Sequence, residues 1–96
     1  MRIVLRRQAK LDLLEARRWY DALSEGLGEA LREEVDAVLQ GLENHPEIHP
    51  RVDDRVRRAS LRRFPYGIFC VIDRNTVRVI AILHRARSPA HWQRRR

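Results

Sequence analysis

Thr76-Val77-Arg78-Val79-Ile80-Ala81-Ile82-Leu83-His84 is the stretch that decides the architecture. Read as a strand, it puts Val77, Val79, Ala81 and Leu83 on one face, and Ile80 and Ile82 with Arg78 and His84 on the other. A strand that is apolar on both faces is covered on both, so this one belongs at the centre of a sheet. Arg74-Asn75 makes a tight turn behind it, leading back to the richly apolar Tyr66–Asp73. Before that hairpin, Arg57–Arg63 reads as a third, arginine-rich strand, and Ile3-Val4-Leu5 as a short one near the start of the chain. Ser88-Pro89 closes the central strand, and the segment to Arg96 has room for one helical turn.

Between the first strand and the others the period changes from two to 3.6. Leu13, Ala16, Tyr20 and Leu23 form one stripe of a helix over Ala9–Leu23, with Trp19 at its border and Asp12, Glu15, Arg17, Arg18 and Asp21 around it. Glu25-Gly26-Leu27-Gly28 ends that helix. Leu31, Val35, Val38 and Leu42 make the stripe of a second helix over Glu29–Glu43, whose early glutamates suit the positive end of the helix dipole. Asn44-His45-Pro46 stops it, and residues 45–55, with two prolines, read as a loop. The expected fold is α+β in the order β-α-α-β-β-β, a helical hairpin packed on a mostly antiparallel four-stranded sheet. Residues 1–96 form a single domain, with 93–96 expected as a disordered basic tail.

The charge is uneven. Of 20 basic residues 19 are arginine; residues 1–50 carry 7 basic and 10 acidic side chains, residues 51–96 carry 13 and 3. An arginine-rich half suits phosphates or an acidic protein surface, because the guanidinium fork meets such anions bidentately. With Cys70 alone and no run of about 20 apolar residues, a cytoplasmic protein without membrane contact is expected.

Three segments carry a resemblance. Asp12-Leu13, Glu15-Ala16 and Trp19-Tyr20, followed by Gly26-Leu27-Gly28, resemble the first helix and turn of the ParE-like branch of the RelE/ParE superfamily of type II toxins. Arg58-Ala59, Leu61-Arg62-Arg63 and Phe64-Pro65-Tyr66 resemble its middle strand pair, and Val79 to Trp92 its last strand and tail. The resemblance implies a growth-inhibiting toxin held harmless by a cognate antitoxin protein. It leaves two targets open. ParE-like members poison DNA gyrase without nuclease activity, and RelE-type members cleave mRNA in the ribosome.

The residues bear on that choice. RNA cleavage needs an acid, a base and cationic donors. His84 and Tyr66, with Arg63 and Arg87, are the candidate catalytic group if the chain is a ribonuclease. No carboxylate base lies obviously near the arginine strand, since Asp53 and Asp54 sit in the loop, and no tyrosine follows Tyr66. Target binding without chemistry would draw on Arg58, Arg62, Arg85 and Arg87, with Trp92 as an aromatic anchor unless it folds back to cap the core. Gyrase inhibition is the leading expectation, mRNA cleavage the alternative, and a non-catalytic nucleic-acid-binding module the third. Arg63, Arg87 and Trp92 are expected to carry toxicity without carrying stability. No cofactor, small-molecule ligand or metal is expected. His45 and His49 are four apart, but Pro46 breaks the helix that would align them.

Overall fold

The computed structural model describes residues 1–96. Strand β1 (Arg2–Leu5) leads into helix α1 (Arg7–Leu23), then helix α2 (Leu27–Asn44). Strands β2 (Val56–Ser60), β3 (Tyr66–Asp73) and β4 (Thr76–His84) follow, and a four-residue helix α3 (Ala90–Gln93) comes last. The sheet order is β1-β4-β3-β2; β1 runs parallel to β4, and the other neighbours are antiparallel. This is the α+β order expected from the sequence, with β4 central. No helix is long and apolar enough to cross a membrane.

Several boundaries move for local reasons. Gly26, at φ 91°, takes the left-handed conformation that lets the chain reverse within three residues, so α2 starts at Leu27 rather than Glu29. Gly28 is then inside α2. A side chain there would come within 2.6 Å of the Arg17 carbonyl oxygen, so its missing Cβ is what allows the two helices to meet. The loop from His45 contains a 3-10 turn at Pro46–Ile48. Strand β2 ends at Ser60 rather than Arg63, because the N–H groups of Arg62 and Arg63 turn to the Glu34 carboxylate on α2 (2.6 and 3.2 Å).

The largest departure lies in β4. Phe69 pairs with Ala81 and Cys70 with Val79, which leaves Ile80 unopposed: a β-bulge. Each residue beyond it swaps face relative to strict alternation. Val77, Val79 and Ile82 face the helices, whereas Ile80, Ala81 and Leu83 face away. The expected grouping of Ala81 and Leu83 with Val77 and Val79 is therefore corrected.

Two cores result. The inner one lies between the sheet and the helical hairpin and includes Ala16, Leu31, Val35, Leu42 and Ile68. The outer one gathers Val56, Phe69, Val71 and the bulge residues under Trp92. The stripe read for α1 holds through Tyr20 but not to Leu23, which is 61% exposed, and Trp19 is 58% exposed.

Candidate functional site

Strand β1 pairs with β4 only as far as Leu5 opposite Val79. From Ile80 to His84 the β4 edge has no strand beside it, and α1 passes alongside. Between them lies a groove of about 910 Å3. Its helix wall includes Leu11, Glu15, Trp19 and Leu23; its strand wall is Ile82 to His84; Tyr20, Pro65, Tyr66 and Arg87 also line it.

An open strand edge exposes unpaired backbone groups. Here the first of them are satisfied by side chains. Asp12, reaching from α1, accepts the Ile82 N–H at 3.0 Å. Arg95 binds the same carboxylate through its two terminal guanidinium nitrogens (2.5 and 3.3 Å) and also donates to the Ile80 carbonyl at 3.2 Å. Arg6 donates in turn to the Arg95 carbonyl. The bulge is thus held by an aspartate from α1 and an arginine from the far end of the chain. Asp12 is not one of the solvated residues of α1, as its place in the helical pattern suggests; its side chain is only 11% exposed. Nothing local to Asp12 signals this role, because the groups it serves lie some 70 positions away.

The sequence-predicted site residues separate into five places. Tyr66 and His84 face each other across the β3–β4 pair with ring centroids 5.5 Å apart, and both line the groove with Arg87. The His84 Nδ1 accepts the Ala86 N–H at 3.0 Å, which leaves only Nε2 for another partner. Burial pushes the Tyr66 phenol above its usual range; neighbouring Tyr20 and Glu15 add to that and Arg87 opposes it. Arg87 stands 3.9 Å from Glu15, both exposed. Arg63 is elsewhere, over the Phe64 ring at 5.8 Å, with Arg62 beside it in the β2–β3 turn. Arg58 lies on the sheet face away from the helices, and Arg85 at the end of β4, where its N–H donates to Pro65.

Trp92 is buried, stacked on Phe69 at 5.4 Å with the rings 18° from parallel. It caps the outer core, and its side chain is closed to a partner in this conformation. The segment expected as a disordered tail is tied down as well. Arg95 has Asp12, and Arg96 reaches Asp53 (2.5 Å) and Asp54 (3.3 Å).

This arrangement meets its relatives. The family model of the ParE toxin of the type II toxin-antitoxin system, parDE, matches residues 3–89. The chain belongs to the ParE toxin family. Among solved structures, this ParE-family chain is similar to one described as the chromosomal ParDE TA system from P. aeruginosa. The two share 18% identity with a TM-score of 0.66, over 88% of this chain and 95% of that one. At that identity the likeness is one of fold. No curated protein matches the chain.

Proposed function

We propose that this ParE-family chain arrests growth by inhibiting DNA gyrase, and that a cognate antitoxin silences it by laying an amphipathic segment in the α1–β4 groove. What carries the target choice is the separation of Arg63 from the other three candidate catalytic residues. General acid–base cleavage needs its groups within hydrogen-bond reach of one another's substrate atoms, with pKa values near the working pH. Arg63 stands outside the groove that holds His84, Tyr66 and Arg87. Burial raises the Tyr66 phenol further above the working pH range, and one His84 nitrogen is spent on the backbone. These features favour a toxin that acts by binding.

The antitoxin reading rests on the groove. Leu11, Trp19 and Leu23 are each about half exposed or more on one side of α1 (49, 58 and 61%), an apolar stripe unusual on a free surface. Opposite it stand Tyr66 and Pro65, with Arg87 at the rim. An amphipathic partner helix with acidic residues toward Arg87 matches that pattern of apolar floor and cationic edge. The similar P. aeruginosa structure is described as a ParDE TA system, which supports an antitoxin as the partner.

The alternative, ribosome-dependent mRNA cleavage, draws on the adjacency of His84, Tyr66 and Arg87. A single pair of assays separates the two. Purified protein is added to a gyrase supercoiling reaction and to a cell-free translation reaction whose mRNA 5′ ends are then mapped. Blocked supercoiling with intact mRNA is the expected outcome. New ribosome-dependent mRNA ends with normal supercoiling would replace gyrase by the ribosome as the target.

A further inference from the structure

On the outer face of the sheet, Arg58 sits opposite Phe69, and the next row along is Ser60, Gly67 and Leu83 on β2, β3 and β4. The Arg58 side chain leans across that row. Its Cγ and Cδ lie 2.9 Å from where a Cβ on Gly67 would be, so the glycine is a notch and the arginine stem fills it. The stem is thereby held flat against the strands. The Nε is buried and has no hydrogen-bond partner, an arrangement that costs free energy if nothing compensates it. No hydrogen bond or carboxylate engages the rest of the guanidinium either. Ser60, exposed, borders the notch from β2, and Arg85, exposed, stands at the same sheet end, two residues past Leu83.

The charges around this place are also unspent. All three acidic residues between 51 and 96 are taken: Asp73 by Arg78, and Asp53 and Asp54 by Arg96. Arg95 and Arg87 find acids on α1. Arg58 and Arg85, at this end of the sheet, have no carboxylate within 4.0 Å of their guanidinium groups. A lone carboxylate could serve one of them. A polymer that repeats an anion every few ångströms, as a nucleic-acid backbone does, serves both at once.

We propose that the Gly67 notch, with Arg58 laid across it and Ser60 and Arg85 at its rim, binds a phosphodiester of a nucleic-acid backbone. The contact is one of position and charge rather than of base sequence, with the guanidinium and hydroxyl donating to phosphate oxygens. Leu83 borders both this notch and the α1–β4 groove, but Arg58, Ser60 and Gly67 lie outside that groove, and the contact does not depend on which target the toxin takes.

The test is fluorescence anisotropy with the full chain, using a labelled duplex DNA and a labelled single-stranded RNA of equal length at several salt concentrations. Arg58→Ala should lower affinity about tenfold at low salt and flatten the salt slope by about one ion. Gly67→Ala keeps every charge but displaces the arginine, and should also weaken binding severalfold. Arg2→Gln, a cation lost at the other end of the sheet beside Thr76, should change it less than about twofold. Thermal melts followed by circular dichroism establish that each variant is folded; should Gly67→Ala fail to fold, Arg58→Lys, which keeps charge but loses the planar fork, takes its place with the same expected loss. Binding of both probes supports a contact to the shared backbone, and preference for one supports it while naming the nucleic acid. The proposal is overturned if neither probe binds, if Arg2→Gln loses as much as Arg58→Ala, or if folded Arg58→Ala binds both probes as tightly as the parent.

Discussion

The inner face of the sheet lies under two helices of 17 and 18 residues, whereas the outer face is roofed by a helix of four, through one tryptophan. Inside, Ala9 and Ala16 from α1 and Leu31, Val35 and Leu42 from α2 share the covering, and each is at most 5% exposed. Outside, Trp92 alone stacks on Phe69, and Val52 from the loop packs beside them. One face is closed redundantly and the other by a keystone. The difference teaches why the sheet has both an apolar groove and a basic outer surface. The heavily covered side leaves only its rim for contacts, while the lightly covered side carries Arg58 and Arg78 on its strands beside the residues under Trp92.

The sharpest break in that comparison is Trp92→Ala. It removes the keystone and should cost about 3–5 kcal/mol, lowering the melting temperature by well over 10 °C for a domain of this size. A melt within a few degrees of the parent would mean that the outer face needs no roof. Leu31→Ala, fully buried on the inner face, should cost about 2–4 kcal/mol, since α1 and α2 can partly close over the gap. Next comes Asp12→Ala, which orphans the Ile82 N–H and leaves Arg95 without its carboxylate. The expected loss is about 1–3 kcal/mol, and the local signature is faster hydrogen exchange at Ile82, with little change on β2. Equal acceleration across the sheet would show that the bulge clamp has no local role.

Cys70 sharpens the comparison from the inside. It is buried on the helix side, and burial pushes its thiol up to about 11, with Arg57 opposing slightly. At mildly alkaline pH it should resist a thiol reagent in the native protein and react fully in denaturant. In Trp92→Ala the labelling rate should rise only as far as global stability falls; a larger rise would tie the two faces together locally. The smallest expected effect concerns pH. Burial alone would raise the Asp53 carboxyl, but the N–H groups of Val56 and Arg55 and the Arg96 guanidinium outweigh it, so the group is held below its usual value. A carboxyl lowered on folding stabilises fully above its unfolded pKa, near 4, and loses that contribution as pH falls through the lower folded one. Asp53→Asn should therefore flatten the acid limb of the stability curve, read from melts between about pH 5 and pH 2.

Much of this fold was legible because its signals are periodic and local. Leu31, Val35 and Leu42 announce α2, and Arg74-Asn75 announces the β3–β4 turn, where Arg74 does adopt the left-handed conformation at φ 57°. The bulge at Ile80 was not legible, since nothing distinguishes that isoleucine from its neighbours and no glycine marks the spot. Its consequence propagated: the faces of Ala81, Ile82 and Leu83 were inverted with it. The role of Asp12 was not legible because a mid-helix carboxylate carries no local sign of the strand edge it serves. Trp19 and Trp92 show the same limit in opposite directions. One sits on an apolar-looking helix and is exposed; the other sits in a basic tail and is buried, because Phe69 lies where it can be stacked on. For the site, the residue types were readable and their grouping was not, as Arg63 and His84 are brought to different surfaces by a turn whose shape depends on Glu34.

The parallel pairing of β1 with β4 also orders events in time. The four residues made first among the strands have their only sheet neighbour in the strand made last, so Ile3 waits for Val77 while everything between them is synthesised. At about 5–20 residues per second that interval is several seconds. During it α1 can form and meet α2, yet the groove beside α1 has no second wall. Any partner that reads both walls of the groove therefore meets a chain already synthesised as far as His84; a shorter nascent chain offers it the α1 wall alone.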